Sequence, residues 1–126
     1  MAPTKPWPTE VKLVKAEKRL EVSFDSGERF SLPAELLRVE SPSAEVQGHG
    51  PDQKVIVAGK RDVTFIDLES VGNYAVRITF DDHHDTGIYS WDLLYELGHR
   101  QDELWRRYLA ALEEKGLSRD PKASAP

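Results

Sequence analysis

The sequence predicts an α+β domain, an antiparallel β-sheet with C-terminal helices packed on one face. Three observations predict it. Between residues 11 and 89, short runs alternate apolar and polar side chains, the period of half-buried strands. Turn residues such as Asp25-Ser26-Gly27 and Val71-Gly72-Asn73 separate those runs. From Trp91 onward the apolar residues recur every three or four positions, which is helical amphipathicity.

Each element follows in order. Pro3, Pro6 and Pro8 remove backbone donors and fix φ, so residues 1–9 read as a flexible lead-in, although Trp7 is able to fold back. Val11 and Leu13 begin the strand pattern, and Leu20, Val22 and Phe24 continue it. Phe30 and Leu32 resume the alternation after Gly27, giving a hairpin of 19–24 with 28–32. Pro33 suits a first helical position, and 33–38 reads as a turn or two of helix. Residues 40–60 read as a long loop closed by a short strand at Val55-Ile56-Val57, and a loop of that length in a small domain is often functional. Val63 to Leu68 reads as a strand covered on both faces. Tyr74, Val76, Ile78 and Phe80 point one way along the next strand, and Gly87, Ile88 and Tyr89 return after a polar connection. Ser90 is the helix N-cap and Asp92 sits where the helix dipole favours an anion. Gly98 is expected to bend or divide the helix. The folded unit is 10–115, with 116–126 a loose tail, and its core is Leu20, Val22, Phe24, Phe30, Val76, Ile78, Phe80, Trp91, Leu94 and Leu97.

Composition narrows the function classes. With 22 acidic against 17 basic side chains the net charge is −5, which argues against nucleic acid as a partner. No apolar run approaches a membrane span, and residues 1–8 lack the apolar stretch of a signal peptide, so a cytoplasmic location is expected. The absence of cysteine excludes disulfides, thiolate metal sites and cysteine nucleophiles within this chain. There is no phosphate-binding glycine loop, since Gly48-His49-Gly50 lacks the third glycine and the lysine, and no Gly-x-Ser-x-Gly elbow. Glu113-Glu114 reads as a solvated helix face, and Arg106 and Arg107 lie among acids. No catalytic residues are assigned.

The histidines are the informative set. His83 and His84 stand among Asp81, Asp82 and Asp85, and His49 lies in the long loop. Imidazole and carboxylate are good ligands for zinc, iron or copper. The simplest reading of the pair is a polar turn exposing both rings, and His99 is a cation near a helix C-terminus.

Several ordered blocks carry a resemblance. They are Leu37-Arg38-x-x-Ser41-Pro42-Ser43-Ala44-Glu45, Gly48-His49-Gly50-Pro51, Gly72-Asn73-Tyr74-Ala75-Val76, and Asp82-x-His84-Asp85-x-Gly87-Ile88-Tyr89-x-Trp91-x-x-Leu94. Together the sequence resembles the gamma-butyrobetaine hydroxylase-like N-terminal domain family in its short bacterial stand-alone form. In the eukaryotic dioxygenases this domain precedes the catalytic domain that holds iron and 2-oxoglutarate. Nothing here resembles that catalytic domain, so the resemblance does not imply hydroxylase activity. It implies a structural zinc site whose three cysteines fall at Ser41, Ser43 and Val46 and whose histidine falls at His84. Two hydroxyls and a valine cannot replace three thiolates. A weaker site for a divalent ion, zinc or iron, would draw on His49, His84, Asp82 and Asp85. Related domains are appended to iron–sulfur carrier ATPases, which implies a protein partner or a part in metal or iron–sulfur trafficking, by analogy of fold alone.

Overall fold

The computed structural model of the chain describes residues 6–48 and 53–121. The α+β class and the antiparallel pairing hold, with the strands divided between two small sheets. The first is a meander of β1 (Pro8–Val14), β2 (Arg19–Phe24) and β3 (Arg29–Pro33). Val11 stands opposite Val22 and Leu13 opposite Leu20, while Leu20 and Val22 face Leu32 and Phe30 across β3. This register puts Leu20, Val22 and Phe24 on one buried face and leaves Arg19, Glu21 and Ser23 on the other. Gly27 adopts φ +91 to close the hairpin, a conformation that glycine reaches without steric cost.

Pro33 ends β3 with an extended ψ of 146 and caps α1 (Ala34–Val39), one position earlier than its expected helical place. α1 is buried at Ala34, Glu35, Leu36, Leu37 and Val39, so it lies inside the molecule. A short helix, α2 (Ala44–Gln47), occupies the segment read as loop. Val55-Ile56-Val57 is not a strand. It runs as extended coil whose Val55 N–H donates to the Val46 carbonyl at 2.7 Å, while the Tyr108 hydroxyl donates to the Val57 carbonyl at 2.6 Å. Those partners satisfy backbone groups that a sheet would otherwise pair.

The second sheet holds β4 (Phe65–Val71), β5 (Ala75–Phe80) and β6 (Ile88–Ser90) in that order. Val76, Ile78 and Phe80 are buried. β4 is not covered on both faces: a bulge between Phe65 and Asp67 shifts its register, and Ile66 is 46% exposed with Asp67, Glu69 and Ser70 also in solvent. Tyr74 lies in the turn before β5 and points outward, outside the alternation of the strand.

α3 (Trp91–His99) is capped by the Ser90 hydroxyl, which accepts from the Leu93 N–H at 3.1 Å, and packs on β3 and β6. The break before α4 (Gln101–Glu114) falls at Arg100 rather than Gly98. Gly98 instead allows a close approach, because a Cβ there would stand 2.3 Å from Cγ of Phe30. Of the expected core, Phe30 and Trp91 are only half-buried. Phe30 lies on an edge strand, and the Trp91 indole N–H reaches outward to the Asn73 carbonyl at 2.9 Å. A second, smaller apolar cluster joins Val39, Tyr108 and Leu112 to Ile56 and Val57.

Both ends of the described chain carry structure. β1 takes in Pro8 and Thr9, and Trp7 meets Trp91 edge-on at 6.5 Å. Residues 117–121, composed like a tail, lie beside 59–61: the Gly59 and Arg61 N–H groups donate to the Ser118 and Arg119 carbonyls at 2.9 Å each. Among the described residues no helix is long and apolar enough to cross a membrane.

Candidate functional site

The polar residues of the α1–α2 connection meet the β5–β6 connection in one cluster. Ser43 caps α2, its hydroxyl accepting from the Glu45 N–H at 3.2 Å, so the local sequence Ser43-Ala44-Glu45 fixes where the helix begins. In the opposing hairpin, His83 takes φ 72, in the left-handed region, and its side chain is exposed. The Asp82 carboxylate accepts from the His84 N–H at 3.1 Å, and the turn drives the His84 ring inward. The expectation that both rings face solvent therefore fails for His84, which is 6% exposed.

Both His84 nitrogens are engaged. Nε2 lies 2.9 Å from the Ser41 hydroxyl and Nδ1 lies 3.3 Å from the Glu45 carboxylate. A neutral ring protonated on Nδ1 satisfies both, donating to Glu45 and accepting the Ser41 proton. Burial, and then the nearby Arg38 cation, push the His84 pKa below its ordinary value, in keeping with that neutral form. Ser43 and Thr86 hydroxyls meet at 2.7 Å, and Thr86 donates to Glu45 at 3.1 Å. Gly87 makes the closeness possible: a Cβ there would stand 2.5 Å from the Ser41 hydroxyl.

Charge is arranged behind this network. Asp82 accepts from Arg38 at 2.7 Å and pairs with Lys60 at 2.7 Å. Burial raises the Asp82 pKa, but the hydrogen bonds from Lys60 and Arg38 outweigh it and bring it to about 2. Arg38 keeps a buried Nη1 with no hydrogen-bond partner. The Tyr89 hydroxyl, fully buried, donates to the Leu37 carbonyl, and burial pushes its pKa up.

The connectivity Ser41–His84–Glu45 is that of an acyl-transfer relay, in which a histidine takes the proton of a serine. Ser41 is fully buried, so in this conformation its oxygen meets no substrate. Of the positions that the resemblance assigns to zinc ligands, three share one network, with Ser41 on His84 and Ser43 joined through Thr86, while Val46 is buried. Their donor set does not fit the zinc: hydroxyls and a valine replace thiolates, and hydrogen bonds join what a metal would join.

The expected divalent-ion residues divide. His84 and Asp82 belong to one turn, Asp85 is exposed, and His49 lies outside the described residues. Among the described residues no group of three His, Asp or Glu side chains is placed to share an ion. Sequence reasoning missed Arg38, Lys60, Thr86 and Tyr89 as members of the site. Arg38 offered a signal, being the one cation on a short helix that is apolar apart from Glu35.

A search of curated proteins returns no match. Two solution structures determined by NMR resemble the chain closely. One has a TM-score of 0.81 at 47% identity, covering 97% of this chain and 96% of that one. The other has a TM-score of 0.80 at 48% identity, covering 99% and 95%. A crystal structure from Acidithiobacillus ferrooxidans, of a protein of unknown function in the DUF971 family, has a TM-score of 0.61 at 35% identity and covers 72% of this chain and 91% of that one. The family model described as gamma-butyrobetaine hydroxylase-like, N-terminal, matches residues 11–95, which take in both sheets from the middle of β1 onward, the His84 network and the start of α3. The chain belongs to the gamma-butyrobetaine hydroxylase-like N-terminal domain family.

Proposed function

We propose that this protein is a non-catalytic accessory module that works by binding another protein. The observation that carries the reading is the closure of the His84 network. Its serine is fully buried, both ring nitrogens are engaged, and its strongest carboxylate, Asp82, is held by two cations. These groups hold two connections together, and buried polar groups paired in this way specify a fold. The matched family region is the part that, by the resemblance, precedes a catalytic domain in the eukaryotic dioxygenases.

The test is enzymatic. Purified protein supplied with gamma-butyrobetaine, iron and 2-oxoglutarate is expected to yield no hydroxylated product above the protein-free control. Turnover that survives removal of contaminating enzymes overturns the reading. The alternative, a divalent-metal site of zinc or iron at His49, His84, Asp82 and Asp85 linked to metal or iron–sulfur trafficking, draws support from the partial gathering of His84 and Asp82 alone. It requires that His84→Ala and His49→Ala each abolish one and the same metal titration.

A further inference from the structure

The segment 117–121 sits on the molecule as a ligand sits in a groove. Arg119 donates from Nε and Nη2 to the two oxygens of Glu35, at 2.9 and 2.7 Å. Its guanidinium carbon lies 5.0 Å from the centre of the Trp105 ring. A carboxylate facing the fork and an aromatic ring under the plane are selective for arginine over lysine, because only guanidinium satisfies both at once. The receptor half stands on two helices: Glu35 on α1, buried with the segment in place, and Trp105 on α4.

The occupying half lies on the surface. Leu117, Ser118 and Asp120 are exposed, and the segment is held by the Leu117 N–H, which donates to the Leu112 carbonyl at 2.8 Å, by two backbone hydrogen bonds to 59–61, by the Arg119 pair and by an exposed Arg61–Asp120 ion pair. It leaves α4 through Gly116, at φ +65 with open space around it. The segment also fills its groove incompletely. A 280 Å³ cavity lies beside the guanidinium, walled by Pro33, Leu36, Gln101 and the acidic Asp102.

We propose that the groove between Glu35, Trp105 and residues 59–61 is a docking site for an arginine-bearing extended segment of a partner protein, and that residues 117–121 occupy it in cis as a displaceable stand-in. The proposal deepens the accessory reading by naming where the partner binds and with what chemistry. The unfilled cavity and its acidic wall favour a partner over a second copy of this chain. Exchange between copies only replaces each contact by itself, whereas a partner with a further apolar or basic side chain next to its arginine gains the cavity. A buried Glu35 left without a cation is costly, so displacement must exchange one guanidinium for another.

The experiment uses the full chain and a capped peptide with the sequence of residues 117–121, titrated against the Trp105 indole resonance. Arg119→Ala is expected to bind the peptide at least tenfold more tightly than wild type, because the tethered competitor is gone. The double variant Glu35→Gln with Arg119→Ala is expected to lose that binding, and a peptide with lysine for arginine to bind at least tenfold more weakly. Arg119→Lys keeps a charge beside Glu35 while removing the fork. It is expected to gain affinity as well, and it stands in if Arg119→Ala fails to fold. Equal peptide affinity of the Arg119 variants with and without Glu35 overturns the proposal. A wild-type dimer that the peptide dissociates assigns the groove to a second copy and also overturns it. Either result leaves the accessory reading standing, since that reading falls only to turnover.

Discussion

The His84 network and the Glu35–Arg119 pair are both buried polar sites, yet they are built in opposite ways. At His84 the groups come from two connections clamped between core elements, a neutral ring bonds one hydroxyl and one exposed carboxylate, and Gly87 leaves no spare volume around Ser41. At Glu35 a full charge is buried on a helix and neutralised from outside by a segment that is itself mostly exposed. A hydrogen-bond network centred on a neutral ring contributes through geometry and is disrupted by removing its central member. A buried ion pair adds little net stability over an apolar pair, but leaving one charge alone is expensive. The difference teaches that burial of a polar group does not by itself say whether the site serves the fold or remains open to exchange. What closes the site decides that.

The sharpest way to break this contrast is His84→Ala. Removing a buried ring and leaving the buried Ser41 hydroxyl without its acceptor is expected to cost about 2–4 kcal/mol in urea unfolding. The loss should be the same with and without a metal chelator, and a chelator that destabilises wild type by a comparable amount would show that a metal, not the network, holds the site. Arg119→Ala comes next, at about 1–3 kcal/mol, because solvent partly reaches the abandoned carboxylate. Adding Glu35→Gln to it should recover part of that loss, whereas a double variant no more stable than Arg119→Ala alone would remove the ionic account.

Acid distinguishes the sites further. Asp82 has a folded pKa of about 2, below its unfolded value, so its contribution is complete above the ordinary carboxylate range and is lost as pH falls from there toward 2. His84 is held neutral by burial, so the unfolded chain takes up its proton first and stability declines as pH drops below ~6.5. Unfolding at pH 7, 5 and 3 should show both phases, with Asp82→Asn removing the lower one, about 1–2 kcal/mol. A stability curve flat from pH 7 to 3 contradicts the network as described. The smallest effect belongs to neither site: Trp7→Ala loses an exposed edge-on contact with Trp91 and should cost about 0.5–1 kcal/mol, read from the thermal midpoint.

Much of the fold was legible because its signals are local. The alternation at Leu20, Val22 and Phe24, the Gly27 turn and the Ser90 cap each lie within a few residues of the structure they specify. The division into two sheets was not, because strand signals say nothing about which strands remain unpaired. The inward turn of His84 was hidden for a related reason. It depends on Ser41, 43 residues away, and on a glycine whose value lies in the hydroxyl it makes room for. Arg119 and Glu35 are 84 residues apart, and a composition typical of a loose tail concealed the pair. The resemblance named Ser41, Ser43 and His84 correctly as neighbours, while nothing in it pointed to Lys60 or Thr86.

The bulge in β4 bears on how the protein behaves when crowded. β4 is the outer strand of its sheet, seven residues long, with Ile66 in solvent, and such an edge invites a second copy to pair along it. In the register centred on Leu68, two copies meeting there antiparallel would set Asp67 of each strand opposite Glu69 of the other, with Arg77 offsetting part of that charge through its pair with Glu69. The irregular register at Phe65–Asp67 breaks the straight row of donors and acceptors that pairing requires. The kink and the acids are the features that blunt such an edge, and removing both acids is expected to raise the tendency of β4 to associate.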